Sequence, residues 1–155
     1  MKRVLSCICL FVLCFIAQVA FAQKVWYNPA EASGNVVRGR TFIDQERDGF
    51  YHRFPSYVKE KVNSRLWAQS VRSAGENIVF RTNAKEITVR YTVKTSHAMP
   101  HMPATGVSGV DMYSYDKNGN EVWVPGKYSF RDTVTYKFTP IEIANTRKGE
   151  KRFTL

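Results

Sequence analysis

From Glu86 to Val93 the chain alternates strictly, Ile87, Val89, Tyr91 and Val93 on one side against Glu86, Thr88, Arg90 and Thr92 on the other. A period of two residues is that of a strand with one face buried. Asp132 to Phe138 repeats it, with Val134, Tyr136 and Phe138 opposed to Thr133, Thr135 and Lys137. Asn77 to Thr82 and Leu66 to Arg72 are shorter strand candidates, separated by Ser73-Ala74-Gly75. Val107 to Asp116 faces Glu121 to Val124 across Lys117-Asn118-Gly119-Asn120, where Asn-Gly predicts a type I′ hairpin turn. With Val36 to Ile43 these segments make seven or more closely spaced strands, the pattern of an all-β, antiparallel β-sandwich.

One segment departs from the period of two. Tyr57, Val58, Lys61, Val62, Arg65 and Leu66 fall at helical spacing behind Pro55-Ser56, so a short helix and an irregular strand both fit there. Lys151 to Leu155 looks like the opening of another strand with no polar cap behind it. A sandwich lacking its last strands leaves an unpaired edge, so the fold is expected to be incomplete at its C-terminus and the chain truncated.

The first segment is set apart from this pattern. Lys2 and Arg3 precede an apolar run from Val4 to Phe21, and Ala20-Phe21-Ala22 supplies the small residues a signal peptidase requires. Residues 1–22 are therefore expected to be a signal peptide and residues 23–155 a single domain. No basic stop-transfer cluster follows, which favours a removed leader over a retained membrane anchor. Cleavage removes Cys7, Cys9 and Cys14, all the cysteines of the chain. The mature protein then has no disulfide, no thiol nucleophile and no thiolate metal site, and its stability must come from core burial.

The full chain carries 23 Lys and Arg against 13 Asp and Glu, a formal charge of +10. Such a balance commonly marks nucleic-acid binding. An exported protein rarely meets nucleic acid, and these basic residues are scattered rather than clustered, so no nucleic-acid partner is expected. A soluble basic surface accounts for the charge; an acidic glycan or an anionic envelope surface is the functional alternative.

No hydrolytic motif is present. There is no Gly-x-Ser-x-Gly and no Gly-Asp-Ser, and Ser108, the nearest approach, precedes a segment that reads as sheet where a nucleophile elbow needs a helix. Asp116 and Glu121 flank a hairpin, where solvated carboxylates are ordinary. The densest polar cluster is His97-Ala98-Met99-Pro100-His101-Met102-Pro103. Its imidazoles and thioethers are donors that copper accepts, but two prolines also make it a rigid extended loop, either purely structural or one that meets a substrate or a neighbouring domain. The latter reading is adopted, with no metal and no cofactor assigned. Trp26, Trp67 and Trp123 with eight tyrosines make an aromatic-rich chain, as in carbohydrate-binding modules. Asp111 shares a strand face with Tyr113 and Tyr115, where either a buried hydrogen-bonded carboxylate or a binding group fits. Candidate binding residues are thus His97, His101, Asp111, Tyr113 and Trp123; no catalytic residue is assigned.

Gly109-Val110-Asp111-Met112-Tyr113 resembles the Gly-x-Asp-Leu-Tyr motif that names the N-terminal domain of bacterial SGNH (GDSL-type) hydrolases. The resemblance continues through Ser73-Ala74-Gly75, Phe80-Arg81-Thr82-Asn83, Ile87 to Val93, the His97–Pro103 loop and Gly126-Lys127-Tyr128, covering roughly Val62 to Leu155. Met112 replaces the usual Leu, a volume-conserving exchange. The resemblance implies a jelly-roll-like accessory domain ahead of a flavodoxin-like catalytic domain that holds the serine and the Asp-x-x-His pair. It implies an esterase or deacetylase on acylated glycans, exported to the periplasm or beyond in a Gram-negative bacterium, whose catalytic domain is the partner in cis. This chain alone is expected to be inactive. The alternative is a stand-alone carbohydrate-binding module of the cell envelope.

Overall fold

The structure, a computed structural model, describes residues 24–34, 36–116, 118–139 and 151–155. The expected leader, its cleavage site and the three cysteines lie outside these residues. Among the described residues no helix is long and apolar enough to cross a membrane.

Eight described strands form two antiparallel sheets. The larger contains β1 (Val37–Arg38), β2 (Asn77–Thr82), β4 (Met112–Tyr115), β5 (Glu121–Val124) and β8 (Lys151–Thr154), in the order β1-β2-β8-β4-β5. The smaller has the order β3-β7-β6, from β3 (Ile87–Tyr91), β6 (Gly126–Ser129) and β7 (Val134–Phe138). The antiparallel all-β expectation holds. Pro125 alone separates β5 from β6, so the chain passes from one sheet to the other within a single residue. Proline cannot donate to a ladder, which suits it to the point where one pairing ends and the next begins.

Both sheets feed one core. Met112 and Val124 from the larger sheet join Val134, Tyr136 and Phe138 from the smaller, and Phe80, Ile87, Val89, Tyr91, Val110, Phe130 and Leu155 pack around them. Fully burying side chains such as Met112 and Phe138 contributes about 1.5–3 kcal/mol each, and both are at most 2% exposed. Gly126 pairs with Phe138, and a β-carbon there would lie 2.7 Å from the phenyl ring. The absent side chain leaves that space to the ring.

Five sequence expectations are corrected. Leu66 to Arg72 is not a strand: Ser64–Ser70 is a helix, here α1, because the Asn63 side chain caps it by accepting from Leu66 N–H at 2.8 Å. The preceding segment is helical too, a 3-10 turn over Ser56–Lys61 entered from Pro55. Val36 to Ile43 pairs only at Val37–Arg38, because Gly39 (φ +82°) turns the chain against the Gly75 carbonyl. Beyond it, Arg47 holds the irregular loop by donating to the carbonyls of Thr41, Phe42, Gln45 and His52.

The third correction lies in the segment Val107 to Asp116, where Ala104–Ser108 forms a short helix, α2, and the strand starts only at Met112. The fourth concerns β8, which is not an unpaired edge. It is bonded to β2 over Val79–Thr82 and to β4 at Tyr113 and Ser114. The β4–β5 hairpin forms in the expected register, but its turn is not type I′. Of the described turn residues only Gly119 has positive φ, and the Asp116 carboxylate accepts from the backbone N–H of Asn118 and Asn120. The loop is thus closed by a carboxylate rather than by a paired left-handed turn.

Candidate functional site

The segment from Ser108 to Tyr113 is fixed from the opposite sheet. Tyr91 of β3 donates its hydroxyl to the Ser108 carbonyl. Tyr136 of β7 presents its hydroxyl to the Val110 backbone N–H, with Asp111 within electrostatic reach. Burial pushes both phenols above their ordinary pKa, so each remains a neutral hydroxyl well beyond neutrality. A β-carbon on Gly109 would stand 2.1 Å from the Thr105 carbonyl oxygen and 2.9 Å from the Tyr136 hydroxyl. Gly109 is extended (φ −76°), so glycine is needed here for close approach and not for an unusual dihedral.

Beyond this anchor, alternation distributes the side chains. Met112 is completely buried, whereas Asp111 is exposed and Tyr113 is 36% exposed on the outer face of β4. The expectation of a buried carboxylate at Asp111 is not met; it lies on the solvent side. It remains hydrogen-bonded, its Oδ1 accepting from Trp123 Nε1 at 3.2 Å. Trp123 stands on β5 directly opposite Tyr113 and is 55% exposed. The row continues from Tyr113 to its β8 partner Thr154. Beside it, Tyr115 links Glu121 Oε1 at 2.8 Å and Thr154 Oγ1 at 3.0 Å. Asp111, Tyr113 and Trp123 are therefore brought together.

The two histidines are placed elsewhere. His97 packs on Phe130 with ring centroids 5.8 Å apart, in an aromatic set that includes Tyr128 and Tyr136. The His97–Pro103 loop is not extended. Met99 and Met102 exchange two backbone hydrogen bonds of 2.9 and 3.1 Å, which puts Pro100 and the exposed His101 at the tip of a tight turn. Both thioether side chains are about two-fifths exposed. Neither histidine makes a hydrogen bond or ring contact with Asp111, Tyr113 or Trp123. Among the described residues no three His, Cys, Asp or Glu side chains gather closely enough to hold a metal ion.

A family model described as GxDLY, the N-terminus of Esterase_SGNH_hydro-type, matches residues 24–155. The chain belongs to that family. No curated protein and no solved structure matches it. The match starts well before Val62, so the GxDLY region includes the Arg47 loop and α1. Within this GxDLY chain each motif position has a distinct physical task. Gly109 admits Tyr136, Val110 packs on the core, Asp111 holds Trp123, Met112 fills the core and Tyr113 faces outward.

Sequence reasoning missed Tyr91 and Tyr136, which hold the motif without belonging to it. The available signal was chemical: a tyrosine on the buried side of a strand needs a partner for its hydroxyl.

Proposed function

We propose that this chain is the non-catalytic N-terminal portion of an exported SGNH-type ester hydrolase acting on acylated glycans. Its two sheets form the layers of a sandwich that supports the catalytic domain in cis. The sequence holds no Gly-Asp-Ser block and no Asp-x-x-His, so the nucleophile and its base come from that domain.

The observation that carries the reading is the construction of the segment from His97 to Gly109. Its Met99–Met102 turn is exposed, yet its two flanks are fixed by His97 on Phe130 and by Tyr91 on the Ser108 carbonyl. A held turn presenting Met99, Pro100, His101 and Met102 suits a constant protein contact, since thioethers adapt to an apolar neighbour. The chain is accordingly expected to show no turnover of p-nitrophenyl acetate above a denatured control, and saturable turnover would overturn the reading. The reading frame past Leu155 is expected to run into a Gly-Asp-Ser block and a later Asp-x-x-His. In that longer protein, His101→Ala together with Met102→Ala should lower thermal stability or activity while leaving the fold of residues 24–155 intact.

The second reading, a glycan-binding module that acts alone, draws on Trp123, whose exposed ring belongs to no core.

A further inference from the structure

We infer that the Met99–Met102 turn is a binding site for a soft monovalent metal ion, Cu(I), held by the thioethers of Met99 and Met102 with the imidazole of His101. The site does not rest on a following catalytic domain.

The backbone makes the pair. In the extended loop expected from the two prolines, Met99 and Met102 would stand about 10 Å apart, three residues of about 3.3 Å each. In the structure they are bridged directly, each backbone N–H donating to the other's carbonyl, at 2.9 and 3.1 Å. Opposed residues of an antiparallel pair place their β-carbons about 4.5–5.5 Å apart on one face. Methionine adds three rotatable bonds, so from that spacing the two sulfurs can converge on one ion. His101 directly precedes Met102 at the exposed tip and brings the third donor.

The surroundings keep the turn formed and open. Met99 is 41% and Met102 40% exposed, so an ion reaches both without unfolding the chain. The Met102 side chain lies along Gly106 of α2, where a β-carbon would stand 3.3 Å from Sδ. On either side of the turn, His97 packs on Phe130 and Tyr91 donates to the Ser108 carbonyl. Donors carried on a preformed turn lower the ordering cost of binding.

The donors choose the ion. Thioethers are soft, uncharged ligands that favour Cu(I), and imidazole suits copper too. Zinc takes thiolate, imidazole and carboxylate, whereas calcium and magnesium take oxygen. Among the described residues no three His, Cys, Asp or Glu side chains gather to offer such a set. Of the four methionines, Met1 lies in the expected leader and Met112 is completely buried. The accessible thioethers of residues 23–155 are therefore both in this turn, and Met112 serves as an internal control.

The test is a titration of the chain, labelled with carbon-13 at its methionine methyls, with Cu(I) in dilute acetonitrile under nitrogen. Any leader thiols are blocked beforehand with N-ethylmaleimide. The Met99 and Met102 methyl signals should shift together and saturate at one equivalent, while that of Met112 stays in place and reports an intact fold. Met99→Leu or Met102→Leu, both volume-conserving, should weaken binding at least about tenfold, the least that losing even an outer-shell partner costs. His101→Ala should weaken it as well, and Zn(II) should shift neither signal. No saturable shift, a shift at one methionine alone, an equal response to Zn(II), or binding undiminished in the folded leucine variants would overturn the proposal. The domain contact proposed for the same turn is read in the longer protein without copper, so either reading can fail while the other stands.

Discussion

The hydroxyl of Tyr136 occupies the space that a side chain on Gly109 would need, standing 2.9 Å from the position of a β-carbon there. The Thr105 carbonyl closes the other side at 2.1 Å. Gly109→Ala therefore forces apart α2 and β7 and is expected to cost about 3 kcal/mol, at the upper end for overpacking. Gly106→Ala is the contrast, since its β-carbon meets the flexible Met102 side chain, Cγ at 2.9 Å and Sδ at 3.3 Å, and otherwise Pro103 Cδ at an ordinary 4.0 Å. Within α2 it also gains up to about 1 kcal/mol of helix propensity, so its net effect should be near zero. Chemical denaturation of both variants measures the difference.

The two anchoring phenols predict an alkaline limit. Burial raises the pKa of Tyr91 and Tyr136 in the folded protein above the unfolded value of 10.0. The folded state thus holds these protons more tightly. Stability from this source is complete below pH 10 and is lost as pH rises through the folded values. Melting temperature should fall steeply above about pH 10, and tyrosinate absorbance should lag behind that of the unfolded chain. Tyr91→Phe should flatten this dependence while costing about 1 kcal/mol at neutral pH through the lost bond to Ser108.

Asp116 predicts the opposite dependence at the other end of the scale. Hydrogen bonds from Asn120, then from Asn118 and Gly119, hold its carboxyl below the ordinary value of 3.8. A depressed folded pKa means stability that is present above the unfolded value and is lost as pH falls through the folded one. Amide exchange at Asn118 and Asn120 should therefore accelerate in acid, and Asp116→Ala should show fast exchange there at every pH.

Glu76 is expected to oppose folding as a charge. Neither carboxylate oxygen finds a hydrogen-bond partner, and desolvation raises its pKa although Arg40, Arg47 and Arg53 act in the other direction. A raised folded pKa gives stability present below the unfolded value of 4.5 and lost as pH rises through the folded one. At neutral pH the charge therefore subtracts from folding stability, so Glu76→Gln should raise the melting temperature. A lower melting temperature would show that the arginines outweigh desolvation.

Strands with strict alternation, β3 and β7, were legible because each has one face in the core and one in water. That Asp111, Tyr113 and Tyr115 share one face was legible for the same reason; that this face is turned to solvent was not. α1 was hidden because Leu66, Trp67 and Val71 suit a strand as well as a helix, and the deciding signal was the Asn63 cap. β6 was hidden because Gly126-Lys127-Tyr128-Ser129 has no apolar alternation; it is held by its pairing with β7 and by the room Gly126 leaves for Phe138. The hold of Tyr91 and Tyr136 on the motif depends on contact between the two sheets, which no spacing along one strand encodes.

The position of β8 sets the order in which the larger sheet can be closed during synthesis. Among the described strands β2 and β4 meet only through β8, which leaves the ribosome after the other seven. Until residues 151–155 emerge, the larger sheet is two separate ribbons, each with an unbonded inner edge open to other nascent chains. Nascent chains released short of this strand should thus aggregate or be bound by chaperones more than chains that include it.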